Sequence, residues 1–372
     1  MKKNILYYLS DSPNMGGGIA SSLTILKELD KKKFNPIVLI REKGAVSNLL
    51  DKLNITYKIF GSIKEKSSLQ EYTKDLFRYA HFYKKENIHL VHFNCGGWRP
   101  FSVLAAIMFN IPIVNHMRIV IENSPFLKYS SLMIANSKFT ANKSVPLLVP
   151  RKVVYNFTDI NRFDNSVNIR SELNIGEEEI IILFLGSIKE IKGIDMFLNL
   201  AKSINDKNVR FVIVGKCADK INQEGHYTLQ QLMNQISGNQ KIKYIGWRSD
   251  VENIYKISDI IIMPSQWEEP FGLINIEAGA AKKPIISTSV GGIPEIINHG
   301  ENGFLVEKDD LDSMIKYTKL LINNKGLRVK MGEKGRMIVE DKFNAKKNVR
   351  EIEKIYESLI EKNDFYPSSW KI

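Results

Sequence analysis

Short apolar runs alternate with longer amphipathic stretches along almost the whole chain. The runs are rich in Ile, Val, Leu and Phe, as in PIVLI and HLVHF early in the sequence and RFVIVG and DIIIMPS later. Strands that are apolar on both faces and separated by helical segments form parallel sheets covered by helices. The alternation therefore predicts the α/β class, with helices packed on parallel sheets.

The 372 residues are enough for two domains of this kind. Each half opens with a strand, a glycine-containing loop and a helix: ILYYLSDSPNMGGG precedes IASSLTILKEL, and IIILFLGSIKEIKG precedes IDMFLNLAKSI. We predict two doubly wound, Rossmann-like domains, 1–160 and 161–345, which face a central cleft and are linked near Thr158–Asn168. Ligands of such sheets bind at the carboxyl ends of the strands, so both loops should border the cleft. We expect residues 346–372 to form a C-terminal helix and tail that pack back towards the N-terminal domain.

The formal net charge of +12 lies wholly in the first half of the chain. Residues 1–160 contain 23 Lys and Arg against 11 Asp and Glu, whereas the remaining residues contain 30 of each group. The partner of the first half is therefore expected to be anionic: a phosphate-bearing lipid, a nucleic acid or an acidic substrate. No nucleic-acid-binding module accompanies the charge, so nucleic acid is not expected as the partner.

Other classes of protein are excluded by what the sequence lacks. Cys95 and Cys217 lie far apart with no Cys or His cluster around them, which excludes a disulfide scaffold and a zinc finger. The N-terminal apolar run is short and ends at Asp11, and the longest apolar stretch, Phe101 to Val114, is shorter than a membrane span. We therefore expect a cytoplasmic protein, or one that is peripheral on the inner face of a membrane.

The most informative stretch covers residues 264–306, PSQWEEPFGLINIEAGAAKKPIISTSVGGIPEIINHGENGFLV. A buried strand, DIIIMPS, ends in a loop that presents Glu269, and Pro270 suits the first turn of a following helix. The amides at that helix N-terminus form an anion site, and glycine there allows close approach; they belong to Phe271, Gly272 and Leu273. Glu277 lies about two turns further along. Carboxylates in these places accept hydrogen bonds from sugar hydroxyls.

This combination resembles the family 4 glycosyltransferases of the GT-B fold, a retaining, metal-independent group that uses nucleotide-sugar donors. The resemblance rests on two glutamates separated by seven residues with a PFGL insert, followed by PIISTSVGGIPEII and NGFLV. It extends over most of the chain, through GSIKEIKGID, FVIVG and YIGWRSDV and, in the first half, through NMGGGIASS, IANSKFT and VVYNFTDINRF. The resemblance implies that Glu269 holds hydroxyls of the donor sugar and that Glu277 binds the ribose. The amides of Phe271, Gly272 and Leu273 would line the sugar and phosphate.

Lys192 falls where the family places a diphosphate-binding lysine. A diphosphate leaving group gains charge as the glycosidic bond breaks, so a cation there stabilises the transition state more than the ground state. The family usually has arginine directly after the strand glycine, but here Gly186 is followed by Ser187. One phosphate clamp is therefore missing at this donor-loop position, and Lys189 is a candidate to replace it.

In the first half the resemblance points to two further places. Gly16 and Gly17 precede a helix and match the family's glycine loop, where a diphosphate or an acceptor comes close to the backbone. The alternative is a flexible turn. His116, at the end of PIVNH, matches the histidine that meets the donor sugar, and Arg118 is nearby. The alternative for His116 is a histidine satisfied in the core.

The segment Ser68–Asn87 predicts a helix that carries aromatic and cationic residues together. This composition is typical of a helix on an anionic membrane surface. The alternative is a domain helix whose aromatic face lies in the core. In this fold the N-terminal domain usually binds the acceptor, so the resemblance and the charge together suggest a lipid-linked or otherwise anionic glycan acceptor.

The sequence thus predicts a retaining glycosyltransferase of the hexosyltransferase type, which moves a sugar from a nucleotide-diphosphate donor to an acceptor hydroxyl. The acceptor would belong to a lipid-linked or cell-surface glycan such as lipopolysaccharide or capsule. No metal and no other cofactor is expected, because Lys192 and helix amides can stabilise the leaving group. The alternative is a non-catalytic relative that binds nucleotide or glycan within a membrane-associated assembly, which Ser187 keeps open. A nicotinamide-dependent oxidoreductase is disfavoured because no GxGxxG motif follows a strand.

Overall fold

The structure is a computed structural model that describes residues 1–9, 16–60, 69–94, 100–121, 126–144, 149–219, 225–362 and 365. At residues 69–72 and 100 it describes the backbone alone. The chain divides into two compact units. Unit 1 begins with Met1–Asn156 and also includes a C-terminal helix that starts at Ala345, and unit 2 is Phe157–Asn344. The chain therefore passes from one unit to the other between residues 156 and 157 and between 344 and 345. The predicted boundaries lay between 160 and 161 and between 345 and 346.

Within the described residues, unit 1 contains a parallel sheet of seven strands in the order β3-β2-β1-β4-β5-β6-β7. The strands are β1 (Lys3–Tyr8), β2 (Phe34–Ile40), β3 (Thr56–Ile59), β4 (Ile88–Asn94), β5 (Ile113–Met117), β6 (Leu132–Ala135) and β7 (Arg151–Val153). The helices are α1 (Gly17–Glu28), α2 (Ala45–Lys52), α3 (Leu69–Lys85), α4 (Pro100–Met108) and α5 (Lys138–Lys143).

Unit 2 contains a parallel sheet whose described strands have the order β10-β9-β8-β11-β12-β13. They are β8 (Ile180–Leu185), β9 (Val209–Val214), β10 (Ile242–Tyr244), β11 (Ile260–Met263), β12 (Ile285–Thr288) and β13 (Gly303–Val306). The helices are α6 (Asn161–Asp164), α7 (Ile194–Ser203), α8 (Leu229–Ile236), α9 (Val251–Ile257), α10 (Leu273–Ala280), α11 (Leu311–Ile322) and α12 (Lys325–Lys342).

The central strands are apolar on both faces, as the sequence pattern predicts. Strand β11 is IIIM and is wholly buried, and the apolar faces of α7 and α11 belong to the core that covers its sheet. Both units are thus doubly wound α/β domains, which is the architecture expected for the GT-B fold. In each sheet the strand order reverses once, between β1 and β4 in unit 1 and between β8 and β11 in unit 2. Loops that follow the strands at such a reversal form the ligand-binding edge of doubly wound sheets.

The last helix, α13 (Ala345–Ile360), packs on unit 1. Its Tyr356 is fully buried, and the Tyr356 hydroxyl lies 2.8 Å from the Tyr7 hydroxyl and 2.6 Å from Nδ1 of His92. Beyond this helix, Phe365 packs against the unit 1 core. The remainder of the predicted C-terminal tail, residues 363–364 and 366–372, lies outside the described residues.

Candidate active site

Glu269 lies at the strand reversal of unit 2, in the loop that follows β11. Its side chain is buried, although a carboxylate in this position is expensive to remove from water. Two donors compensate the burial: Lys192 Nζ lies 2.5 Å and Ser265 Oγ lies 2.7 Å from Glu269 Oε1. Charge-assisted hydrogen bonds of this kind are the strong ones in proteins. The carboxylate is therefore held in a fixed orientation.

The backbone of Glu269 is held as firmly as its side chain. Gly292 donates its N–H to the Glu269 carbonyl at 2.8 Å. A Cβ on Gly291 would lie 2.1 Å from that carbonyl oxygen, and Gly291 has φ +58°. The glycine pair of the SVGG segment therefore lets the backbone after β12 press against the loop that carries Glu269.

Lys192 reaches Glu269 because the loops after β8 and β11 are in backbone contact. Lys192 ends a single 3₁₀ turn (Glu190–Lys192) before α7, and Gln266 donates its N–H to the Ile191 carbonyl at 2.8 Å. Gly193, at φ +77°, packs so closely that a Cβ there would lie 1.8 Å from the Pro264 carbonyl oxygen. Lys192 Nζ also lies 4.8 Å from the centre of the Trp267 ring, a cation–π distance.

Helix α10 begins at Leu273, later than the presence of Pro270 in the sequence suggested. Gly272, with φ +90°, precedes the helix, and this left-handed residue separates Pro270 from the first turn. The Phe271 ring is buried against Phe343, with ring centres 5.6 Å apart. Leu273 is therefore the first helical residue, and the Phe271 side chain anchors the loop in the core.

Glu277 lies on α10 and faces α9 and α6. Its Oε2 accepts a hydrogen bond from the Tyr255 hydroxyl at 3.1 Å, and Arg162 Nη1 lies 3.9 Å from Oε1. Arg162 also donates to Glu252 at 2.8 Å. Burial raises the pKa of Glu277, while the Arg162 charge and the Tyr255 hydrogen bond act to lower it. The state of this carboxyl therefore depends on Arg162.

Ser187 is exposed and lies two residues after Leu185, the last residue of β8. Lys189, the candidate substitute for the missing arginine, forms an antiparallel bridge with His226. Ile188 and Glu190 also exchange backbone hydrogen bonds with the 225–227 segment. The two loops after β8 and β9 are thus joined to each other beside Ser187.

In unit 1, Gly16 and Gly17 are exposed where α1 begins, and the Gly18 carbonyl accepts a hydrogen bond from Asn94 Nδ2 at 2.9 Å. Asn14 and Met15 of the predicted glycine loop lie outside the described residues. His116 is fully buried on β5, and its ring centre lies 5.4 Å from that of His92. Neither His116 nitrogen has a hydrogen-bond partner among the described residues, and burial holds its pKa well below the usual range. The ring is therefore neutral and part of the interior.

Sequence reasoning missed two residues that the structure brings to these sites, and it named a third, Arg118, only as a neighbour of His116. Ser265 is a ligand of the Glu269 carboxylate, and Arg162 stands beside Glu277. In unit 1 the buried Arg118 guanidinium donates to Asn94 Oδ1 and Asn156 Oδ1, each at 2.9 Å. The position of Ser265 directly after a buried strand was a usable signal. The other two contacts depend on tertiary structure.

The residues described by the structure contain no group of three or more His, Cys, Asp or Glu side chains arranged to hold a metal ion. None of the helices described in either unit is long and apolar enough to cross a membrane. The expectation that no metal takes part stays a prediction.

The fold and site together define a doubly wound α/β protein in which a lysine and a glutamate, Lys192 and Glu269, form an ion pair at the ligand-binding edge of the second sheet. Residues 165–338, which lie within unit 2, match the family profile described as "Glycosyl transferases group 1". The chain is 28% identical to N-acetyl-alpha-D-glucosaminyl L-malate synthase of Bacillus anthracis over 240 residues. The match covers 63% of this chain and 61% of that protein.

A longer match connects the chain to UDP-Gal:alpha-D-GlcNAc-diphosphoundecaprenol alpha-1,3-galactosyltransferase of Escherichia coli. The two are 25% identical over 94% of this chain and 95% of that protein. Several other curated relatives are matched over only about half to three fifths of their length, between 48% and 62%. Among solved structures, the Anabaena protein Alr3699/HepE in complex with UDP-glucose superposes with a TM-score of 0.80 at 20% identity, covering 95% of this chain and 99% of that one. This likeness shows the fold.

Proposed function

We propose that the protein is a glycosyltransferase that moves a hexosyl group from a nucleoside-diphosphate donor to an acceptor hydroxyl, with retention of configuration. The observation that carries the proposal is the buried Glu269 carboxylate, which Lys192 and Ser265 hold at the strand reversal of unit 2. The surrounding residues are those that match the group 1 glycosyl transferase profile. A fixed carboxylate beside a cation suits a ligand that presents hydroxyls next to phosphate.

In this proposal Glu269 accepts hydrogen bonds from hydroxyls of the donor sugar, and Lys192 faces the diphosphate. The bond between the anomeric carbon and the diphosphate oxygen breaks, and the acceptor oxygen bonds to the same carbon from the same face. The acceptor proton passes to the departing phosphate, so no protein nucleophile is needed. Lys192 contributes most as negative charge develops on the leaving group. Glu277 binds the ribose, and no metal is required.

The acceptor is proposed to be a lipid-linked or cell-surface glycan. The Escherichia coli relative is named for a diphosphoundecaprenol-linked acceptor, and its match spans almost the whole of both chains. The excess of Lys and Arg in the first half suits an anionic acceptor of this kind. We therefore place the protein in the cytoplasm or peripherally on the inner face of a membrane.

The second candidate function is a non-catalytic partner that binds nucleotide or glycan. The observation in its favour is Ser187, which stands exposed where the family's arginine would clamp a phosphate. Binding without turnover would favour this second function, and turnover would exclude it.

The proposal is tested by thermal unfolding with a panel of nucleoside diphosphates and their sugar conjugates, beginning with uridine compounds because the Anabaena structure holds UDP-glucose. Ligand at a hundredfold over its dissociation constant adds about 2.7 kcal/mol to the stability of unit 2. For a domain of this size the melting temperature should rise by about 5–10 °C. Lys192→Ala should weaken binding of the diphosphate, and Glu269→Ala should weaken binding of the sugar conjugate more than that of the diphosphate.

Lys202→Ala is the matched control, since Lys202 is exposed on α7 and makes no contact with Glu269. Turnover with the best donor, followed by nuclear magnetic resonance of the anomeric centre, then tests retention. No stabilisation by any nucleotide would overturn the proposed function.

A further inference from the structure

Helix α3 presents two faces of different chemistry. Its inward side chains Tyr79, Phe82 and Tyr83 are buried in the unit 1 core. Sequence analysis left open whether these aromatic residues face a membrane or the core, and the structure places them in the core. The outward side chains, all exposed, are Thr73, Lys74, Phe77, Arg78, His81, Lys84 and Lys85. We call this set the outer face of α3.

The outer face of α3 combines positive charge with one exposed aromatic ring. Phe77 is 70% exposed. At 100° per residue it projects within the arc that the exposed residues span, between Lys84 and His81, while the Arg78 guanidinium at the border of the arc lies over the Phe60 ring. Among the side chains of α3 that the structure describes, the one acid is Asp75, which is mostly buried and lies 3.8 Å from Arg78. The exposed set therefore contains no negative charge.

This cationic surface continues beyond the end of α3. Asn4 Nδ2 donates to the Glu86 carbonyl at 2.6 Å, which ties the start of β1 to the residue that follows the helix. The charge of Lys3 adds to burial in lowering the pKa of His89, so the lysine lies near this junction. Lys2 and Lys3 are both exposed. Lys2 and Lys3 thus add positive charge near the C-terminal end of α3, where the partly exposed Glu86 is an acid of the same junction.

A bilayer that contains anionic lipid is the partner whose chemistry fits this surface. Lysine and arginine are attracted by the negative headgroups, and an exposed aromatic side chain on the same face can enter the boundary between headgroups and acyl chains. A nucleic acid would satisfy the cations but would leave Phe77 in water.

We propose that the outer face of α3 docks unit 1 on an anionic lipid bilayer. The inference rests on the proposed function in that a lipid-linked acceptor gives the docking its purpose. Phe77 inserts at the interface, and Lys74, Lys84 and Lys85 contact the headgroups.

The test is co-sedimentation of the full chain with vesicles of phosphatidylcholine, with and without phosphatidylglycerol. The chain should bind the anionic vesicles and release from them as salt is added. Each cation near the surface contributes about a fivefold change in partitioning, so the triple variant K74Q/K84Q/K85Q should bind about a hundredfold more weakly. Phe77→Ser should weaken binding about tenfold without loss of core packing.

The matched control is K325Q/K330Q/K334Q, which removes the same charge from exposed lysines of α12 in unit 2 and should leave vesicle binding unchanged. Equal binding to neutral and anionic vesicles would overturn the proposal, as would an equal effect of the two triple variants. So would retention of RNA or a soluble anionic polysaccharide in place of vesicles. Thermal stabilisation by nucleoside diphosphates is measured on the same variants. Absence of stabilisation would contradict the proposed function, whereas vesicle binding would still be judged by the co-sedimentation results alone.

Discussion

At the residue scale, the candidate site depends on cations and hydroxyls that hold two carboxylates. Glu269 is fixed by Lys192 and Ser265, while Glu277 lies between Tyr255 and Arg162. A buried carboxylate without such partners would take up a proton, because the interior disfavours its charge. The neighbours of each glutamate therefore decide whether it is an acceptor of hydrogen bonds at neutral pH.

Arg162→Gln should make nucleotide binding fail at a higher pH. Burial raises the pKa of Glu277 and the Arg162 charge opposes this rise, so removal of the charge moves the pKa further upward. As the pH falls, the variant protonates Glu277 before the parent does, and a protonated carboxyl would accept fewer hydrogen bonds from the ribose that we propose it binds. Titration calorimetry of nucleoside diphosphate binding across pH measures the shift.

Arg162→Lys should restore most of the parental pH profile, since it keeps the charge. Arg210→Gln is the control, because Arg210 pairs with Glu179 where β8 and β9 begin, at the end of the sheet opposite the carboxyl ends of the strands. If Arg162→Gln lowered affinity equally at every pH, Arg162 would have a structural role only.

At the element scale, loops after adjacent strands build the site, and glycines set how closely the loops approach. The 3₁₀ turn after β8 reaches the loop after β11 only because Gly193 has no Cβ. Gly291 does the same between the loops after β12 and β11. The site is therefore a product of the backbone contacts among three loops as much as of the side chains.

Gly193→Ala should destabilise unit 2 and weaken donor binding. The new Cβ would lie 1.8 Å from the Pro264 carbonyl oxygen, and the strand-to-helix turn must shift to relieve the overlap. Gly238→Ala is the control because Gly238 has nearly the same φ, +78° against +77°, but no atom within 4 Å of the added Cβ. Both variants lose about 1–2 kcal/mol to the left-handed conformation. Gly193→Ala should lose about 2 kcal/mol more, measured by urea unfolding. Equal losses would show that the contact between the loops is dispensable.

Local sequence patterns were sufficient to predict the α/β architecture and to locate the two glutamates in the loop and helix after a buried strand. Apolar runs such as DIIIMPS placed the strands, because a strand buried on both faces needs a continuous apolar sequence. The resemblance implied that Lys192 and Glu269 bind the same donor, but their direct contact across 77 residues of the chain was not predicted. Arg162 was missed because its contact with Glu277 crosses 115 positions of the chain and no local signal marks it. The inward orientation of the α3 aromatics was likewise undetermined, because the sequence fits either an aromatic face in the core or an aromatic face on a membrane.

At the scale of the whole molecule, the two units differ in what their interiors contain. Unit 1 buries His92 and His116 with ring centres 5.4 Å apart, and Tyr356 of α13 contacts His92 through its hydroxyl, 2.6 Å from Nδ1. Burial lowers the pKa of His92 to about 3 and that of His116 well below its usual range. The positive charge of Arg118 adds to both effects. Unit 1 therefore contains two buried histidine side chains that are neutral in the folded state.

Unit 1 should lose stability in acid before unit 2 does. The unfolded chain protonates each histidine near pH 6.5, whereas the folded unit does so only at a much lower pH, so the unfolded state binds more protons between these values. Its stability is thus complete above about pH 6.5 and falls as the pH drops, by about 1.4 kcal/mol per pH unit for each histidine. Hydrogen exchange followed by mass spectrometry at a series of pH values reports the two units separately.

His116→Leu tests the origin of this acid sensitivity. The variant keeps a buried side chain but removes one of the unit 1 histidines whose pKa burial lowers, so the slope of unit 1 stability against pH should fall by about 1.4 kcal/mol per pH unit, while His92 and His89 still contribute. The comparison uses the slope and not the absolute stability, because imperfect packing of leucine lowers stability equally at every pH. His116 belongs to unit 1, so the pH dependence of unit 2 should stay the same in the variant. An unchanged slope in unit 1 would mean that other groups, chiefly carboxylates in ion pairs, govern the acid response of the whole molecule.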